Sequence, residues 1–415
     1  MMTNAMAQAP TAAMSAARRN LCVALLVLLG FSLGCSEFVV IGIETELAEA
    51  FNVSLQHVGL TVSSFAITYA VCTPLLALST GRFRRYTLLV IYAALFCVGN
   101  VISVVAPTFE VLLASRVLIG AVSGAYLAVG VTFLPELLGR GNTSMAISVV
   151  YGAFSVAMVI STSMGKLVAD AVGWHAAMVL VLVFAVLVSL ALLLFLPRQG
   201  STDEPATVLD QIGLLAEPAV LAGIAIFVFG VGAVYVFYGY ITPYLEQVMG
   251  LSALQVSGVL VGYGVACLFS NMLSGWSDAR FGMKALVPAF LIQALLLLAL
   301  FALQGAMPAS LAVVIGIALS MYVLSVPCVS MFMKVSYDRH PKALTLASSV
   351  EPMAFNIGIA FGTAIGGMVV AGPGLHYSGV VGAVFDVVAC GLTLLCLHLL
   401  RIAHERQMRA AAAKS

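Results

Sequence analysis

Three acids, an arginine and a lysine lie in runs that are otherwise almost wholly apolar, and they are the residues best placed to do chemistry in this chain. Glu37 sits in Cys35-Ser36-Glu37-Phe38-Val39-Val40-Ile41-Gly42, with no opposite charge nearby in sequence. An ionised carboxylate inside such a run is costly, so it must face a wet cavity, find a partner or hold a proton. A proton taken up and released there could drive the movement of another molecule; the alternative is a structural acid hydrogen-bonded to a neighbouring helix. Glu351 is followed by Pro352, whose missing N–H frees a backbone carbonyl where a helix can kink. A coupling or ligand-contacting role for Glu351 stands level with a structural one. Five residues on, Asn356 offers donors and acceptors to a polar ligand. Arg116 and Lys166 each lie near the end of an apolar run. Snorkelling to the interface competes with a buried role for Arg116, and is the preferred reading for Lys166. No enzymatic signature accompanies them. The six histidines are scattered, and no Gly-rich phosphate loop with its lysine is present, which also excludes an ATP-driven pump on one chain.

The elements that hold these residues must be membrane helices. Of 415 residues, 62% are hydrophobic and 8% charged, against roughly 45–50% and about 25% in soluble domains. A soluble fold could not hide that much apolar surface, whereas lipid removes the need to hide it. Runs long enough to span predict twelve helices, at 21–43, 56–78, 86–106, 111–133, 143–169, 176–196, 218–240, 252–274, 284–304, 309–332, 344–370 and 377–400. Strands are excluded because the runs are too long and do not alternate. With both termini cytoplasmic, sixteen of the eighteen Lys and Arg fall on the cytoplasmic side, the other two being Arg116 and Lys166. Glu44, Glu46, Glu49, Glu110 and Glu246 fall outside. The longest polar stretch, 197–217, then divides a six-helix half at 21–196 from a second at 218–400, with short cytoplasmic tails at 1–20 and 401–415. An internal echo agrees, since Arg82-Phe83 ends the second span and Arg280-Phe281 the eighth. The eight cysteines all lie in apolar runs without a Cys-x-x-Cys pair and read as small hydrophobes. A net charge of +1 argues against nucleic acid or an acidic polymer as a partner.

Three motifs carry a resemblance. They are Ser36-Glu37-Phe38 in the first span, Arg116-x-x-x-Gly120-x-x-x-Gly124 in the fourth, and Ala354-Phe355-Asn356-Ile357-Gly358 with Gly362 and Gly366-Gly367 in the eleventh. Together they resemble the major facilitator superfamily, in its twelve-helix drug:proton antiporter branch, and most nearly the bacterial exporters of sugars, purine nucleosides and drugs. The resemblance covers nearly the whole chain after residue 20. It implies an all-α membrane protein of two six-helix halves with the substrate site between them. It also implies that Arg116 helps set the protonation of an acid in the N-terminal half, for which Glu37 is the candidate; Glu351 is a second intramembrane acid. Asp386 is the weakest acid, because the last helix of this family lies at the periphery.

The segment Tyr235-Val236-Phe237-Tyr238-Gly239-Tyr240 reads as an interfacial aromatic belt or, by the resemblance, as a lining and gate of the cavity. The substrate-cavity candidates are therefore Asn356, Tyr126, Tyr151, Phe237, Tyr238, Tyr240 and Tyr263, and the cytoplasmic-gate candidates Arg82, Arg85, Asp278 and Arg280. Two positions depart from the family pattern. Gly81 stands where the loop after the second helix should carry Asp, and Ser163 where the fifth-helix antiporter motif has Pro, with Lys166 charged three residues on. The expected function is proton-coupled export of a small neutral or amphipathic solute by alternating access, from a monomer in the bacterial inner membrane. Partners would be the solute, protons and the lipid bilayer, with no cofactor and the proton gradient as energy source. Uptake by a symporter or uniporter is the alternative, and a non-transporting receptor a remote one.

Overall fold

The computed structural model describes residues 15–80, 83–138, 143–197, 213–303, 306–340 and 344–412. In lipid every backbone polar group needs an internal partner, so an apolar chain of this kind folds as helices. The spans of the first half are α1 (Ala16–Gly42), α2 (Leu55–Thr80), α3 (Arg85–Val105), α4 (Phe109–Val131), α5 (Thr143–Val172) and α6 (Trp174–Phe195). Those of the second are α7 (Pro218–Tyr238), α8 (Ala253–Phe281), α9 (Leu286–Ala302), α10 (Met307–Arg339), α11 (Leu344–Ala371) and α12 (Ser378–Ala412).

Eleven continuous stretches among the described residues are long and apolar enough to cross a membrane, and one of them, Ala253–Ala302, has 50 residues. At 1.5 Å per residue it would reach about 75 Å, far beyond a hydrocarbon core of about 30 Å. Gly282, at φ +56°, breaks it with a tight turn, a backbone conformation that side chains resist. The stretch is therefore two crossings, α8 and α9, and the described residues make the twelve expected.

An even number of crossings puts the start of α1 and the end of α12 at one end of the bundle. The opposite, distal end carries the short helix Glu44–Phe51 between α1 and α2, and a π-helical turn, Tyr244–Val248, after α7. Within the first half α1 packs on α5, and α2 on α4; within the second, α7 packs on α11 and α12. Two long pairings join the halves, α2 with α11 and α5 with α8. The seam between the halves is thus lined by α1, α2, α5, α7, α8, α10 and α11.

Gly120 and Gly124 explain the closeness of α4 to α2. A Cβ at Gly120 would overlap the Phe65 carbonyl, and one at Gly124 the Thr73 hydroxyl. Gly120→Leu is accordingly expected to lower stability by about 1–3 kcal/mol through overpacking, read as a fall in the thermal midpoint of the purified protein.

Helix α10 is interrupted at 321–324, near its middle. Two serines of α8 satisfy the backbone groups this frees. Ser270 Oγ accepts from the Tyr322 N–H at 2.8 Å, and Ser274 Oγ accepts from Val326 N–H while donating to the Val323 carbonyl, each at 3.0 Å. The break is thereby fixed rather than frayed, and it aims Tyr322 at the seam.

Candidate functional site

Arg116 does not snorkel. Its side chain is 1% exposed and points into the bundle, where it donates to the main-chain carbonyls of Ser36 (2.6 Å), Glu37 (2.9 Å) and Thr61 (3.4 Å). The Phe65 ring lies under the guanidinium at 4.7 Å. One planar fork on α4 therefore clamps α1 and α2 together, a geometry that five rigid N–H donors allow. The Glu37 side chain is left aside by this clamp. It is 3% exposed, and neither carboxyl oxygen has a hydrogen-bond partner. Ser36 next to it donates to Asn100 Oδ1 at 2.9 Å, which fixes this stretch of α1 against α3.

The Glu37 carboxyl lies within electrostatic reach of Tyr235 and Tyr322 of the second half, as it does of Arg116. Those tyrosines belong to a ring cluster from four helices. Tyr238 stacks on Tyr263 with centroids 4.9 Å apart, Tyr235 meets Tyr238 edge-on at 5.3 Å, and Tyr322 lies parallel to Phe355 at 5.4 Å. The Tyr322 hydroxyl reaches over to Met158 Sδ on α5 at 3.6 Å. Glu351, half-buried, lies one turn before Phe355 on α11. Asn356 donates to the Pro352 carbonyl at 3.1 Å, while its buried Oδ1 has no partner. Unpartnered acid and amide oxygens beside aromatic faces can bind a solute that brings hydrogen-bond donors and flat apolar surface.

Other candidates fall elsewhere. Tyr126 is turned away from the seam into the core of the first half, donating to Ser189 on α6 at 3.2 Å and packed on Phe96, because its hydroxyl finds a polar partner there. Phe237 likewise packs edge-on against Tyr244 within the second half. Tyr151 lies on α5, its side chain outside the described ones, and Arg82 is outside the described residues. Arg85 donates to the Thr132 carbonyl at 3.3 Å. Asp278 accepts from the Ser330 hydroxyl at 2.7 Å, whereas exposed Arg280 lies over Trp276 at 5.8 Å, so these two gate candidates do not meet. Asp386 is buried between α9 and α12 and accepts from Gln293 at 3.1 Å. All eight cysteines, described here, are free thiols.

Snorkelling is overturned for Lys166. It is 3% exposed, and its ammonium is held by Glu46 of the first half and Glu246 of the second. A lysine folds inward when two carboxylates await it, since an ion pair replaces the water it gives up. Thr45 adds a hydrogen bond to Glu246 at 2.7 Å, Thr242 donates to the Ile41 carbonyl at 2.7 Å, and Ser257 to the Ser163 carbonyl at 2.9 Å. The Tyr240 hydroxyl donates to the Thr363 carbonyl at 3.1 Å in a slot between Gly59 and Gly367, where a Cβ at either would overlap it. Tyr240 is therefore part of a distal closure between the halves rather than of a cavity wall.

Residues 26–351 match the family model described as Major Facilitator Superfamily. Among curated proteins, the chain is 28% identical over 383 residues to an uncharacterized MFS-type transporter of Bacillus subtilis (strain 168), YtbD, covering 92% of this chain and 96% of that one. It is 27% identical over 362 residues to a probable sugar efflux transporter of Mannheimia succiniciproducens, covering 86% and 89%. Among solved structures, a bacterial homologue of the human lysosomal transporter Spinster, inward-facing and unoccupied, superposes with a TM-score of 0.77 at 17% identity, covering 93% of this chain and 98% of that one. That last likeness is one of fold.

Proposed function

Because this chain belongs to the major facilitator superfamily, and is thus a multi-pass membrane transporter rather than an enzyme, we propose that it exports a small neutral or amphipathic solute in exchange for protons. The observation that carries the proposal is the separation of roles at Glu37. Arg116 holds the main chain of Ser36 and Glu37 in place, so the Glu37 carboxyl is fixed at the seam with no hydrogen-bond partner. An unpartnered carboxyl in an apolar span is poised to exchange a proton when the seam opens to water, and to release it when a solute or water replaces it. Glu351 lies across the seam as a second acid, within electrostatic reach of Tyr322.

Charge sidedness supports the distal end as the extracytoplasmic one, because the arginines of the connections gather at the other end. Alternating access then means rocking of the two six-helix halves about a central site, closed distally in this state. Export is supported by the likeness to the probable sugar efflux transporter of Mannheimia succiniciproducens and by the antiporter-like motifs.

The test begins with a thermal-shift screen of sugars, nucleosides and amphipathic drugs, because a bound ligand raises the apparent midpoint by mass action. A solute found in this way is then followed in proteoliposomes under an imposed proton gradient. Uphill movement of the solute against the proton flux, lost when an ionophore collapses the gradient, is the expected result. Movement in the same direction as the protons would make the protein a symporter, and movement indifferent to the gradient would overturn coupling altogether.

A further inference from the structure

Glu44 opens the short helix at the distal end and has no part in the central site. It is fully buried, and both of its carboxyl oxygens lack a hydrogen-bond partner. Glu46 stands on the same helix and Glu246 in the turn after α7. Lys166 reaches in from α5 to bridge those two, and Tyr238 and Tyr240 lie within electrostatic reach at the end of α7. Lys166 is thus taken up by Glu46 and Glu246, and Glu44 lies within electrostatic reach of both of those acids. Glu46 and Lys166 belong to the first half and Glu246 to the second, so the cluster spans the seam.

An ionised Glu44 would be a buried charge with no partner, next to two other negative charges. Burial, together with the Glu46 and Glu246 carboxylates, holds its carboxyl well above the usual carboxylate range. Burial also raises Glu46, against the opposing pull of Lys166.

We propose that Glu44 is a second proton site, distinct from Glu37, which latches the distal seam: with its proton it packs beside the Lys166 bridge between Glu46 and Glu246 and the halves stay closed, and without it they part. The inference rests on alternating access of the two halves but on neither the solute nor the direction of transport. Its sign follows from linkage. The closed state binds the Glu44 proton more tightly than an open state in which Glu44 meets water, so acid favours closure and rising pH favours opening. For one proton, the closed-to-open ratio falls by up to about tenfold per pH unit between the two affinities.

Ala50 and Gln247 are exposed, lie on opposite halves and stand outside the cluster. Spin labels attached to ketone side chains introduced there, in nanodiscs without solute, report the distance across the seam between about pH 5 and pH 9. The wild-type protein should show one short distance in acid and a growing longer population as pH rises. Glu44→Gln, a neutral stand-in for the protonated acid, should lose the distal opening that grows with pH, while Glu37→Gln should retain it. A wild-type distance that ignores pH overturns the latch. So does a response that Glu37→Gln abolishes, and that outcome needs no folded Glu44 variant. A Glu44→Gln protein that titrates like the wild type also overturns it.

Discussion

Glu37→Gln should abolish gradient-driven transport while leaving the fold and solute exchange intact. Glutamine matches glutamate in shape and is neutral, so it imitates the acid with its proton bound but can never give that proton up. No hydrogen bond in the packing depends on the carboxylate charge, since neither oxygen is hydrogen-bonded and Arg116 is fastened to main-chain carbonyls. The thermal midpoint should therefore equal that of the wild type or exceed it, because a buried group able to ionise has been removed. In proteoliposomes, accumulation driven by a proton gradient should fall to the level of protein-free vesicles. Counterflow, which exchanges labelled for unlabelled solute without net proton movement, should continue. Solute binding in weakly buffered solution should release protons from the wild type and none from this variant. Gradient-driven accumulation that survives the substitution would move the coupled proton elsewhere, with Glu351→Gln the next variant to measure.

The fold was readable because lipid imposes one rule on every span. Length and apolarity placed all twelve helices, even where α8 and α9 run together, since Arg280-Phe281 marks the end of the eighth span in the sequence. Glu37, Arg116 and Glu351 were conspicuous for a similar reason, a charged side chain being rare where its neighbours are apolar. What such a pattern cannot report is rotation about the helix axis. Tyr126 and Tyr263 look alike in sequence, yet one turns into the core of the first half and the other to the seam. Tyr322 carries the same signal as Tyr263, but its aim depends on the break in α10 and on two serines of another helix. Lys166 reads as a snorkelling cation because its partners, Glu46 and Glu246, come from connections 200 residues apart in the chain (246 − 46). Their shared feature, acids gathered on the side that lacks bases, was visible; their convergence on one lysine was a tertiary fact.

Arg116→Lys separates charge from shape at the clamp, and it is expected to fail almost as fully as Arg116→Ala. Lysine keeps the positive charge near Glu37, but its single ammonium on a flexible stem cannot reach carbonyls of both α1 and α2 in the plane that the guanidinium spans. A hydrogen bond to a charged donor contributes about 1.5–3 kcal/mol, so losing even one of the three costs that much. Alanine adds the cavity left by a fully buried side chain and the cation's contact with the Phe65 ring. Relief from desolvating a cation works in the other direction, yet the carbonyls here already offset much of that cost in the wild type. Both variants should therefore show a lowered thermal midpoint, alanine the lower, and both should lose gradient-driven transport. If lysine restored both the midpoint and the transport, Arg116 would act through its charge alone. The three carbonyl bonds would then be incidental, and the seating of Glu37 would need another source.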